Sequence, residues 1–192
     1  MASDAAHQKR ALRAEHRERR QNMSTREREA ATAGFTENLE AITIDLSARS
    51  IACYLSLPTE PNTRPYINWA ESQGIRVLFP ISRQDGLLDW TVGEEQAETE
   101  GIYGMPEAVG ELLGPIAIND VDLIIVPASA VDSTGMRMGW GRGYFDKTLG
   151  SMQNCPPVYA VVFDSEVVDV VPRERHDSPV DGAVTPTRIL AF

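Results

Sequence analysis

Residues 121–146 constrain the fold most. The segment opens on Val-Asp-Leu-Ile-Ile-Val-Pro at 121–127, an apolar run that does not alternate with polar residues beyond Asp122. Apolar side chains at successive positions require cover on both faces of a strand, the condition of a parallel strand inside a layered α/β domain. A loop follows with glycines at 135, 139, 141 and 143, and a short helix is expected over 144–149. A loop that leaves a buried parallel strand and enters a helix sits at the carboxyl edge of the sheet, where ligands bind in such folds.

The remaining pattern agrees. A helix is expected over 5–23, although Leu12 and its alanines give it only a weak apolar face. Ser24-Thr25-Arg26-Glu27 is a capping box that starts a second helix running towards residue 39 or 41. Strands are expected over 50–55, 75–81, 121–127 and 158–163, and a strand over 87–92 at a sheet edge. A third helix is expected over 63–73, ended by Gly74. Residues 94–101 read as an acidic loop. Strands alternating with helices imply an α/β layered fold with a mostly parallel sheet, in a single domain over 1–192.

The net charge of −10 is uneven. The first thirty residues carry eight Lys and Arg against five Asp and Glu; the rest carries ten against twenty-three. An acidic body argues against general nucleic-acid binding, while a basic arm on it suits one small anion. No apolar run approaches the ~20 residues of a membrane helix, and residues 1–20 lack the apolar stretch of a secretory leader. Cys53 and Cys155 show no metal or redox spacing and read as reduced thiols. A cytoplasmic location follows as the expectation.

The loop carries the chemistry. Glycines let backbone N–H groups approach a phosphate, and the next helix offers the positive end of its dipole. Arg137 and Arg142 suit phosphate oxygens, and Asp146 is a hard carboxylate suited to Mg²⁺. Together these groups are what phosphoryl transfer requires. The loop is not a Walker A sequence, since G-x-x-x-x-G-K-S/T is absent. Its glycine spacing also differs from the dinucleotide fingerprint.

Pro127…Asp132-x-x-Gly135-x-Arg137-x-Gly139-x-Gly141-x-Gly143-Tyr144-Phe145-Asp146 resembles the signature of the 5-formyltetrahydrofolate cyclo-ligase family. Val131, Met138, Arg142 and Phe145 depart from its usual residues. Four further segments, in family order, extend the resemblance over about 9–186. Lys9-Arg10-Ala11-Leu12-Arg13 resembles its basic N-terminal helix, Leu55-Ser56-Leu57-Pro58-Thr59-Glu60 its strand-end motif, and Tyr103-Gly104-Met105-Pro106-Glu107 its aromatic loop. Pro172-x-Glu174-x-His176-Asp177 resembles its ending.

The resemblance implies a three-layer sandwich around a mixed, largely parallel sheet. It also implies ATP-driven cyclisation of 5-formyltetrahydrofolate to 5,10-methenyltetrahydrofolate, by a monomer that binds those two substrates and neither nucleic acid nor membrane. The implied ATP contacts are Lys9, Arg10, Arg13, Arg137, Gly139, Gly141, Arg142 and Gly143, with the helix over 5–23 as the nucleotide-contacting arm. Arg137 is the implied catalytic group. Leu55, Glu60, Tyr103, Trp140 and Tyr144 are the implied folate contacts, and Asp146 and Asp177 the implied Mg²⁺ ligands. His176 is a weaker candidate base, and His7 and His16 are expected to be solvated. Three other readings stand beside this one: a folate-binding regulatory relative without turnover, a nucleic-acid module using the basic arm, and a sugar-phosphate isomerase needing no ATP.

Overall fold

A computed structural model describes residues 4–93, 97–175 and 177–192. Its centre is an eight-stranded sheet. In chain order the strands are β1 (Ser50–Ala52), β2 (Arg76–Ser82), β3 (Leu88–Val92), β4 (Leu112–Leu113), β5 (Leu123–Pro127), β6 (Val158–Val161), β7 (Gly182–Val184) and β8 (Ile189–Ala191). They lie side by side as β8-β7-β6-β5-β1-β2-β3-β4. The five strands from β7 to β2 pair in parallel, and antiparallel strands close both edges. The sheet is thus mixed and largely parallel, as expected.

Alternating side chains on the central strands face two separate cores. Ile51, Leu123 and Ile125 meet helices α2 (Thr25–Asp45) and α3 (Arg64–Ser72) through Phe35, Leu39 and Tyr66. Ala52, Ile124 and Val126 face the opposite side, towards Trp90, Ile118 and Leu149, the last on helix α4 (Tyr144–Ser151). Burial of β5 on both faces explains its unbroken apolar run. Helix α2 begins as read: the Glu27 N–H donates to Ser24 Oγ, and the Ser24 N–H donates to the Glu27 carboxylate at 2.7 Å.

Helix α1 (Asp4–Gln21) is built differently. Its buried residues are Lys9, His16 and Arg20. With Arg13 these fall at intervals of four, three and four, on one helical face. Each makes a polar contact with the carboxyl edge of the sheet. Lys9 Nζ lies 2.6 Å from Asp177 and 2.8 Å from Glu174. Arg13 Nε donates to the Gly139 carbonyl at 2.8 Å, and His16 Nδ1 donates to the Ser129 carbonyl at 2.6 Å. Arg20 holds both oxygens of Glu166 and the Ala128 carbonyl. The expectation of a solvated His16 is therefore corrected: the ring is 1% exposed because a backbone carbonyl receives its N–H. Among the described residues, only Leu12 ties α1 to an apolar cluster, the small one of Ala130, Met138 and Val171.

Two other expectations need correction. The strand at 88–92 is not an edge strand, since β4 pairs outside it; two residues are too few to leave a periodic signal. The acidic segment is not all loop. Residues 98–100 pair antiparallel with 106–108, while 94–96 lie outside the described residues. No helix among the described residues is long and apolar enough to cross a membrane.

Candidate active site

The chain leaves β1 towards β2 on one side of the sheet and later returns to β5 on the other. The order therefore reverses between β1 and β5, the position that opens a crevice in sheets of this kind. Two loops flank it. The chain after β1 stays buried through Tyr54 and Leu55 and then turns at Glu60. The loop after β5 runs through a short hairpin, 130–132 with 137–138, before entering α4. Gly143 takes φ +72 as the residue before α4, a left-handed conformation that glycine adopts without strain. Gly141, at φ +97, also admits the Arg13 guanidinium, whose Nη1 would stand 3.3 Å from a Cβ there.

Two cavities border this loop. One, of about 380 Å³, is lined by Leu55, Glu60, Tyr103, Trp140 and Tyr144 together with Arg137. The other, of about 850 Å³, is lined by Lys9, Arg13, Gly141 and Asp177, with Glu174 and Lys147 beside them. Gly139, Arg142, Gly143 and Asp146 face both. The structure thus brings together every residue singled out from the sequence except two. Arg10 lines neither cavity; it borders a separate groove of about 300 Å³ along α1, because its side chain leaves a different face of the helix. His176 lies outside the described residues. A further opening of about 780 Å³, between α2 and the 56–65 loop, shares only Leu57 and Glu60 with the first cavity and none of the glycine loop.

Charge is arranged in pairs across the shared wall. Arg137 is 2% exposed, and its Nη2 lies 2.5 Å from Asp146 Oδ1, which also accepts the Ser178 N–H. Burial lowers the Arg137 pKa, and Asp146 and Asp177 oppose that shift. Its Nε is buried and has no hydrogen-bond partner among the described residues. Burial likewise lowers the Arg13 pKa, countered by Asp177 and Glu174. The Arg142 guanidinium stacks on Tyr103, 3.7 Å from the ring centroid, and Tyr103 lies 6.3 Å from Tyr144. Tyr144 donates to the Arg83 carbonyl, and its pKa is raised, first by burial and then by Tyr103.

Glu60 is one of the acids that line the smaller cavity. It accepts the Leu57 N–H at 2.8 Å, yet burial raises its pKa above the ordinary 4.5. A carboxyl with a raised folded-state pKa contributes stability that is complete below its unfolded value and is lost as pH rises through the folded value. Urea unfolding of Glu60→Gln and the parent across that window should therefore give curves that diverge with rising pH in favour of the variant. Parallel curves would contradict the burial of an ionisable Glu60.

The sequence profile of the 5-formyltetrahydrofolate cyclo-ligase family matches residues 5–186. The chain belongs to that family. A 5-formyltetrahydrofolate cyclo-ligase from Mycolicibacterium smegmatis is 32% identical over 150 residues, covering 76% of this chain and 77% of its own. One from Haemophilus influenzae is 26% identical over 175 residues, covering 88% and 92%. The solution structure of 5,10-methenyltetrahydrofolate synthetase from Aquifex aeolicus superposes with a TM-score of 0.79 at 26% identity, over 95% of this chain and 92% of that one.

Within this cyclo-ligase scaffold several lining residues carried no assignment from the sequence. Arg17 and Arg20 line the smaller cavity, one and two turns beyond Arg13 on α1. The i, i+4, i+7 spacing from Arg13 was the available signal. Glu107 is buried there and accepts the Ser82 N–H at 2.7 Å. Glu174 and Lys147 border the larger cavity.

Proposed function

We propose that the chain catalyses ATP-dependent cyclisation of 5-formyltetrahydrofolate to 5,10-methenyltetrahydrofolate, with release of ADP and phosphate. The observation that carries this reading is the wall common to two cavities. A reaction that joins a folate to a nucleotide phosphate needs two chambers meeting at one point, and that point is the loop from Gly139 to Asp146.

The smaller cavity, with its aromatic side chains and a buried carboxyl, suits the flat pterin. The larger, with Lys9 and Arg13, suits a polyphosphate. An amide oxygen leaves poorly, so the formyl oxygen first attacks the γ-phosphorus and ADP departs. The N10 nitrogen then attacks the activated carbon, and the C–O bond breaks to release phosphate. N10 loses its proton to solvent, and the carbon is left joined to both nitrogens. The chain's own contribution is placement and charge. Arg137 and the amides of Gly139–Gly143 receive the transferring phosphoryl group, and the N-terminus of α4 adds its dipole. Lys9 and Arg13 hold ATP. Leu55, Glu60, Tyr103, Trp140 and Tyr144 hold the folate.

Asp146 and Asp177 are hard oxygen donors on the wall of one cavity, 15% and 7% exposed as side chains, so their chemistry fits Mg²⁺. They would hold the ion with phosphate oxygens and water completing its shell, and the bound ion would neutralise phosphate charge. Lys9 and Arg137, each paired with one of these carboxylates, position them for that role.

The test is the absorbance of purified protein mixed with 5-formyltetrahydrofolate, MgATP and a control lacking ATP. The methenyl chromophore should appear only with the nucleotide. Folate binding without the chromophore would make the chain a binding relative, and absence of both would remove the folate reading.

A further inference from the structure

Arg20 uses only part of its guanidinium for structure. Nε and Nη2 grip Glu166 at 2.7 and 2.8 Å, and Nη2 also reaches the Ala128 carbonyl at 2.9 Å. Nη1 is buried and has no hydrogen-bond partner among the described residues. A buried donor without an acceptor is unfavourable and rare in folded chains. The five N–H groups of a guanidinium are fixed in one plane, so the edge that grips Glu166 leaves Nη1 turned from it. Trp140 covers the plane, its ring centroid 4.9 Å from the Arg20 guanidinium carbon. Arg20 also lines the 380 Å³ cavity alongside Glu60, and its charge is among the influences opposing the burial-raised pKa of Glu60. One cavity therefore holds a carboxyl that accepts and, near it, a cation with a donor to spare.

We propose that Arg20 and Glu60 read one edge of the pterin together: Glu60 accepts from its ring N–H and 2-amino group, and Arg20 Nη1 donates to the adjacent 4-oxo oxygen, making Arg20 the residue that selects 4-oxo over 4-amino pterins. This rests on the folate reading above. A 4-amino group would set N–H against N–H and leave Nη1 unpaired in the complex. Arg20 touches no reacting atom, so its effect falls on which pterin enters.

The test is calorimetric titration, without ATP, with 5-formyltetrahydrofolate and with its 4-amino-4-deoxy counterpart. The parent protein should bind the 4-oxo compound about 10- to 100-fold more tightly. In the double variant Arg20→Met, Glu166→Met the ion pair is removed as a unit and its volume is refilled, a replacement that buried pairs tolerate. There the ratio should fall by about tenfold, through weaker 4-oxo binding; what remains belongs to Glu60, because the 4-amino compound lacks the ring N–H that Glu60 accepts. A ratio near one in the parent would overturn the proposal, as would an undiminished ratio in a double variant that melts cooperatively. If that variant does not fold, Arg20→Lys keeps a cation opposite Glu166 without the planar fork. A reduced ratio in it supports the proposal, and an unchanged one overturns it. Failure of the parent to bind either compound is a different result, which removes the folate reading and this inference with it.

Discussion

Arg137→Ala is expected to lower kcat by roughly 100- to 1,000-fold, the loss typical of removing one preorganised donor from a developing negative charge. The residue is buried in the wall of the smaller cavity and fixed at 2.5 Å to Asp146, which faces both cavities. Its Nε is a buried donor without a partner among the described residues. A group so placed is available to the phosphoryl oxygens without first being drawn from water. The loss should fall on kcat more than on the KM for folate, because the interaction is strongest when charge is in transfer. Arg137→Met, which keeps most of the volume, separates this from packing: its kcat should fall as far as that of the alanine variant. Single-turnover formation of the methenyl product checks both. Undiminished turnover in a variant with a parental melting curve would remove Arg137 from phosphoryl transfer.

The second large effect concerns stability. Arg20→Ala leaves the Glu166 carboxylate, 1% exposed, without its bidentate partner. Breaking a buried pair from one side costs about 3–5 kcal/mol. For a domain of this size that corresponds to a fall in Tm of roughly 6–20 °C. The loss exceeds that of an ordinary surface pair because Arg20 also closes the Ala128 carbonyl and packs against Trp140 and Phe163. Differential scanning calorimetry measures it. A shift under about 2 °C would mean that Glu166 finds other partners.

The sheet was legible where its physics is local. The unbroken apolar run of β5 announced burial on both faces, and Ser24 with Glu27 announced the start of α2. The glycine loop was legible because its spacing is chemical, set by what must approach a phosphate. The face of α1 was not. Hydrophobic periodicity finds helices that bury apolar side chains, and α1 buries a lysine, a histidine and an arginine, each paired with a group more than a hundred residues away. Nothing near His16 in the chain indicates that the Ser129 carbonyl will accept a hydrogen bond from its ring N–H. Arg17 and Arg20 continue the helical spacing of Arg13, but nothing near them in the chain shows which cavity that face meets. The strands β4 and β7, of two and three residues, were too short to show a period, and the missing β4 made β3 read as an edge. Arg10 lines neither of the two cavities because adjacency to Lys9 in sequence is about 100° of rotation on a helix.

Gly139, Arg142, Gly143 and Asp146 face both cavities, so no substitution among them can alter one chamber alone. Glu60 and Lys9 each border only one of these two. Mutational drift therefore has two kinds of ground here. At the far walls, affinity for one ligand can change while the other is kept, and relatives with new preferences are reachable in single steps. At the shared wall every change moves both ligands together, so a tolerated variant there must satisfy two constraints at once. The loop behaves as one heritable unit, replaced whole or left alone.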